Sequence, residues 1–122
     1  MPESDRIDRF LPLNPRRLMV LLSFAQGRAH GYEIRKRAEE QSRGEVQLDA
    51  GSLYRILAGF LDDGLIREAA SISATDTDDT RRRYYELTAL GRQVLEAETG
   101  RLAGLVEFAR TWKVLGEPEG AR

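Results

Sequence analysis

The chain has 122 residues, 41% hydrophobic and 32% charged, with a formal net charge of -1. That is enough for one small domain with a modest core, and any nucleic-acid binding must rest on a local basic surface rather than on overall charge. The lack of cysteine excludes disulfides, thiolate metal sites and a cysteine nucleophile, and a single histidine, His30, argues against a Ser-His-Asp triad or a His-rich metal site. No apolar run approaches membrane-spanning length, and MPESDRIDRF lacks the cationic-then-apolar form of a signal peptide, so the expectation is a cytoplasmic protein with no membrane association.

Taken in order, residues 1–13 read as a charged N-terminal arm with Ile7, Phe10 and Leu11 as apolar anchors, either frayed or packed on another element. Asn14-Pro15 predicts a helix start, because Asn caps and Pro is tolerated at the first helical position. Leu18, Leu21, Leu22 and Ala25 form its stripe, and Met19, Val20 and Phe24 make it apolar almost all round, as a helix buried on two sides would be. Gly27 stops it. His30-Gly31 opens a second helix carrying the basic cluster Arg35, Lys36 and Arg37, and Gly44 ends it. Glu45-Val46-Gln47-Leu48 alternates polar with apolar and predicts a very short strand.

Residues 48–66 then predict a capped helix. Asp49 can accept from the free N–H groups of the first turn. Leu53, Ile56, Leu57, Phe60 and Leu61 recur at helical spacing, and Gly64 supplies the left-handed stop. Ser52, Tyr54, Arg55 and Gly59 are left on the outer face, which suits insertion into a DNA major groove. Residues 65–71 and 84–87 read as strands joined by a long loop whose stretch 73–80 is acidic, small and polar, the composition of a mobile tip. Arg81-Arg82-Arg83 makes the return arm basic. Thr88 caps a final helix from Ala89 to about Val114. Its apolar positions run from Leu90 through Leu95, Leu102, Leu105, Val106, Phe108, Ala109 and Trp112, more than one small domain can cover, which points to a second copy. Residues 116–122 are a tail.

Three short helices followed by a two-stranded hairpin is the layout of a winged helix-turn-helix, with the third helix as reader and the hairpin as wing. The expected fold is therefore mainly α with a small β-wing: an arm (1–13), a winged helix-turn-helix (14–88) and a long C-terminal dimerisation helix (89–115). HGYEI at 30–34, SLYRIL with the following DDGLI at 52–66, and RRRYYELTALG at 81–91 resemble, in this order and spacing, the PadR family of bacterial transcription regulators. The resemblance covers about residues 18–95. It implies a homodimeric DNA-binding repressor, often responsive to small molecules. The single C-terminal helix resembles the short subgroup, in which that helix makes the dimer and the N-terminal helix braces it.

Carried over residue by residue, Ser52, Tyr54 and Arg55 match the reading-helix motif, and Arg81, Arg82 and Arg83 match the wing, where Arg suits phosphate because its fork of donors meets two oxygens at once. With Arg35 and Lys36 these make the expected DNA-binding set. Tyr32 is expected to pack rather than to contact DNA. One of Tyr84 and Tyr85 should point inward, since strand neighbours alternate. Leu87, Leu90 and Gly91 are expected in core and tight packing. Phe10, Leu95, Leu102, Leu105, Val106, Phe108, Ala109 and Trp112 are the expected dimer contacts. The chain departs from the family pattern in two places. Asp79-Thr80 stands where the wing often has glycine or proline, and Leu102 stands where some short members stack a planar drug on tryptophan, so that drug site is not carried over.

The functional expectation is a sequence-specific DNA-binding regulator, a homodimeric repressor on a double-stranded operator, open to release by a hydrophobic small-molecule effector. Neither a cofactor nor a metal is expected. The alternative is a winged-helix protein-interaction adapter that does not bind DNA, favoured by the net charge and the acidic segment 76–79. Catalysis has no support: there is no glycine-rich phosphate loop and no H-E-x-x-H or G-x-S-x-G spacing.

Overall fold

A computed structural model describes residues 3–70 and 83–116. The acidic segment 73–80, Arg81, Arg82 and the tail from residue 117 lie outside the described residues. The elements are α1 (Glu3–Asp8), α2 (Pro15–Ser23) followed by a 3-10 turn, β1 (Ala29–His30), α3 (Gly31–Gln41), α4 (Ala50–Asp63), β2 (Ile66–Ala69), β3 (Tyr84–Leu87) and α5 (Ala89–Thr111).

Side-chain caps set most helix starts. Asn14 accepts from the Arg17 N–H, Asp49 from Ser52 and Thr88 from Gly91. At α3 the cap is a residue that the sequence reading does not single out as one. His30 Nδ1 accepts the Glu33 N–H at 3.4 Å while the Glu33 carboxylate accepts the His30 N–H at 3.3 Å, a reciprocal capping box. Gly64 closes α4 in the left-handed region, at φ 77°, as its position predicts.

The strand expected at residues 45–48 does not form. Those residues are loop, with Leu48 buried as a plug under the α3–α4 turn. The third strand comes instead from Ala29 and His30, giving an antiparallel sheet in the order β1-β3-β2 with Ala29 opposite Tyr85 and Ile66 opposite Leu87. A period-2 pattern of four residues is too short to decide between strand and loop; what β1 has is an open edge of β3 to pair with. As the central strand, β3 has both edges paired. Tyr85 joins the core, and Tyr84 is also buried, its ring edge-on to His30 at 5.2 Å.

One core joins every element except α1, which packs beside it. Val20 and Leu21 of α2, Ile34 and Ala38 of α3, Leu53, Leu57 and Phe60 of α4, Leu65 and Ile66, and Val94 and Leu95 of α5 are all buried. Residues 3–8 are helical and pack on α5. The chain that leads from them to α2 is pinned at Leu13, whose N–H donates to Glu98 Oε2 at 2.8 Å. Glu98 is itself sealed from solvent and receives Arg101 Nε at 2.7 Å. The Arg101 bonds, with the Leu13 N–H, hold its carboxyl below the ordinary range against the opposing effect of burial. No helix among the described residues is long and apolar enough to cross a membrane.

Candidate nucleic-acid interface

The N-terminal half of α4 is bolted to the core on one side and open on the other. Leu53 and Leu57 point inward; Ser52 is half-buried; Tyr54 is 60% exposed and Arg55 is exposed. At the first turn, Asp49 Oδ1 accepts the Ser52 N–H at 2.7 Å, and Arg55 donates to the Ser52 hydroxyl at 3.3 Å. Ser52, through its backbone N–H and then its hydroxyl, draws the Asp49 carboxyl below its usual value, with Arg55 and Arg16 adding attraction. The cap is thus a fixed carboxylate, and Ser52 and Arg55 sit together just beyond it.

A cleft of about 570 Å³ separates this end of α4 from α3 and the loop end of strand β3. Tyr32 and Arg35 line it from α3, Tyr54 from α4, and Arg83 and Tyr85 from β3 and its approach. Burial raises the Tyr85 hydroxyl above its ordinary pKa, so it stays a donor near neutrality. Arg35 Nε is fastened to the Leu48 carbonyl at 2.9 Å, which fixes its guanidinium at the cleft edge. Arg83 is exposed and lies 3.6 Å from Glu68, an exposed pair that constrains it little. Lys36 is exposed on the outer face of α3.

Two residues of the α3 motif stand where the sequence does not put them. Tyr32, expected to pack, is 70% exposed, because its spacing to Arg35 and Lys36 places it on the face opposite buried Ile34 and Ala38. Arg37, read as part of the basic cluster, turns inward: it donates to the Ser23 and Gly27 carbonyls at 3.3 and 3.0 Å and lies 3.9 Å from Glu33. The structure therefore brings Arg35, Ser52, Tyr54, Arg55 and Arg83 to one end of the molecule and adds Tyr32 to them.

The residues read as dimer contacts divide. Leu95 is buried within the chain's own core and leaves little surface for a partner. Phe10 is half-buried with the Arg9 guanidinium 4.6 Å from its ring, and Leu102 and Ala109 are half-buried. Leu105, Val106, Phe108 and Trp112 are exposed, Phe108 and Trp112 by about two-thirds each and 6.1 Å apart between rings. Among the described residues no group of His, Asp or Glu is placed to hold a metal ion.

Residues 19–97 match the transcriptional regulator PadR-like family. The chain belongs to that family. The match takes in α3, α4, the hairpin strands and the start of α5, the parts that build the cleft. Solved PadR regulators share the fold. One from Clostridium difficile R20291 is 22% identical, with 79% of this chain and 95% of that one covered at a TM-score of 0.63. One from Bacillus cereus ATCC 14579 is 24% identical over 83% and 92% at 0.62. Bacillus subtilis PadR, solved in complex with operator DNA, is 20% identical over 87% of this chain and 50% of that one at 0.53. No curated protein matches. PadR-like proteins are transcriptional regulators, which is a regulatory and not a catalytic family.

Proposed function

We propose that this chain is a sequence-specific DNA-binding repressor that works as a homodimer, with residues 14–88 as the DNA-binding head and residues 89–115 as the dimerisation helix. The observation that carries the reading is the open N-terminal half of α4. A capped helix end presents Ser52, Tyr54 and Arg55 outward, flanked by Tyr32, Arg35 and Lys36 of α3 and by Arg83 at the hairpin, a local cluster of cations on a chain of net charge -1. In that role the arginines contact phosphates and supply affinity, and the outward turn of α4 meets base edges and supplies choice. Arg81 and Arg82, which precede Arg83 in the sequence, are further candidates for phosphate contact in this reading. The operator-bound state of the Bacillus subtilis neighbour supports a duplex as partner.

The exposed Leu105, Phe108 and Trp112 on the distal half of α5 support pairing with a second copy. A pair of heads held by α5 would set two α4 helices into successive major grooves, about 34 Å apart. A hydrophobic effector that bound preferentially to one angle between the heads would release the DNA by shifting that equilibrium.

The test is titration of the purified protein onto the duplex upstream of its own gene, with scrambled duplex as competitor. Binding that survives competition is the expected result. Binding to neither duplex at low salt would overturn the reading and leave the protein-interaction adapter in its place.

A further inference from the structure

The cleft lined by Arg35 and Arg83 lies on one flank of α4. Ala50, Leu53 and Tyr54 border it. A second cleft, of about 630 Å³, lies on the opposite flank, bordered by Ser52, Arg55 and Ile56 of α4 and by the first turn of α2. At 100° per residue these two sets of α4 positions face roughly opposite ways, with Gly51 and Ala58 between them. The outward ridge is thus small at its N-terminal end, with the exposed Asp62 one turn beyond Ala58, and each side of it opens into a basic hollow.

The second hollow is basic because of α2. Arg16 and Arg17 both line it, but their states differ. Arg17 is spent along α4: its guanidinium lies 4.8 Å from the Phe60 ring and 3.8 Å from Asp63. Arg16 is exposed, has no ion pair or side-chain hydrogen bond among the described residues, and is close enough to add its attraction to that of Arg55 on Asp49. One carboxylate, Glu45, also borders the hollow.

We infer that Arg16 and Arg55 form a phosphate grip on the flank of α4 away from the hairpin, so that the two strands bordering one major groove are held on two sides, one by Arg35 and Arg83 and the other by Arg16 and Arg55. The inference rests on the DNA-binding reading above. A major groove is bordered by two phosphate ridges, and a reading helix held on both sides is fixed in register and tilt. Arg16 belongs to the helix before the helix-turn-helix pair, which is why the reading motif alone does not reveal it. Gly51 on the ridge adds no side chain that would hold the backbone away from the base edges.

The experiment compares wild type, Arg16→Gln and Arg16→Lys on the upstream and scrambled duplexes across a salt series. Arg16→Gln should lower affinity for both duplexes by the same factor. It should also reduce the slope of log affinity against log salt by about 0.9 for each phosphate no longer neutralised, hence about 1.8 for a dimer. Arg16→Lys should keep the slope. An unchanged slope and affinity in Arg16→Gln, with wild type binding normally, would overturn the grip and leave the DNA-binding reading standing. Weakening confined to the upstream duplex would overturn it too, by making Arg16 a base contact. Wild type that binds neither duplex overturns both. Melting of Arg16→Gln within a degree or two of wild type separates a missing grip from a misfolded chain.

Discussion

At Gly91 the chain leaves no room for a side chain. A Cβ there would fall inside the Leu65 carbonyl oxygen and within 3.1 Å of Leu87 Cδ2. The contact is with backbone, fixed further by the Thr88 N–H donating to that same carbonyl and the Thr88 hydroxyl to the Gly64 carbonyl. Gly91→Ala should therefore destabilise by about 3 kcal/mol, the upper end for overpacking, read as a fall in the urea midpoint; an unchanged midpoint would mean that α5 and the α4–β2 turn shift apart freely. Arg55 is a different kind of residue, exposed and with the Ser52 hydroxyl as its one hydrogen-bond partner among the described residues. Arg55→Ala should weaken binding to the upstream and scrambled duplexes by similar factors and lower the salt slope, as removal of a phosphate contact does, whereas a loss confined to the upstream duplex would make it a base contact. The outer residues are readable from sequence where spacing settles the face. Leu53, Leu57 and Phe60 define the buried side of α4 and so leave Tyr54 and Arg55 outside. Tyr32 misleads because an aromatic ring weighs as core on composition, while its partners at helical spacing, Arg35 and Lys36, place it outward.

At the scale of elements, caps and stops are the most legible feature, since Asn14, Asp49, Gly64 and Thr88 act through hydrogen bonds and dihedral angles local to the chain. β1 is not legible, because Ala29 and His30 become a strand only when β3 offers them an edge. Glu98 escapes notice for the same reason. On α5 it looks like one more surface acid, and only the arrival of Leu13, 85 residues away in sequence, makes it a buried acceptor. Its carboxyl titrates below its ordinary value of 4.5 in the folded protein. A depressed carboxylate contributes stability that is fully present above the unfolded value and is lost as pH falls through the folded one. Stability should thus decline below about pH 4.5, and Glu98→Gln should flatten that decline while lowering stability at pH 7. Equal pH slopes for the two proteins in urea melts would show that Glu98 carries no such linkage.

At the scale of the whole molecule, the hydrophobic surface is unevenly distributed. The proximal half of α5 supplies Val94 and Leu95 to the core, and the distal half sets Leu105, Phe108 and Trp112 in solvent. Sequence alone shows an apolar stripe too long for one chain but not where own-chain packing ends and free surface begins; Leu95 lies on the inner side of that division. Sedimentation at micromolar concentration should show a dimer, and the Phe108→Ser, Trp112→Ser double variant should show a monomer with an unchanged far-ultraviolet spectrum. A monomeric wild type would remove the basis for two heads acting together. The most direct measurement is hydroxyl-radical footprinting of the protein on the duplex upstream of its gene. Two α4 helices held by one pair of α5 helices predict two protected segments about one helical turn apart, 10–10.5 base pairs or a multiple of it, related by two-fold symmetry and absent from scrambled duplex. Uniform protection of both duplexes, or none, would contradict a sequence-reading α4 as the organising feature of the molecule.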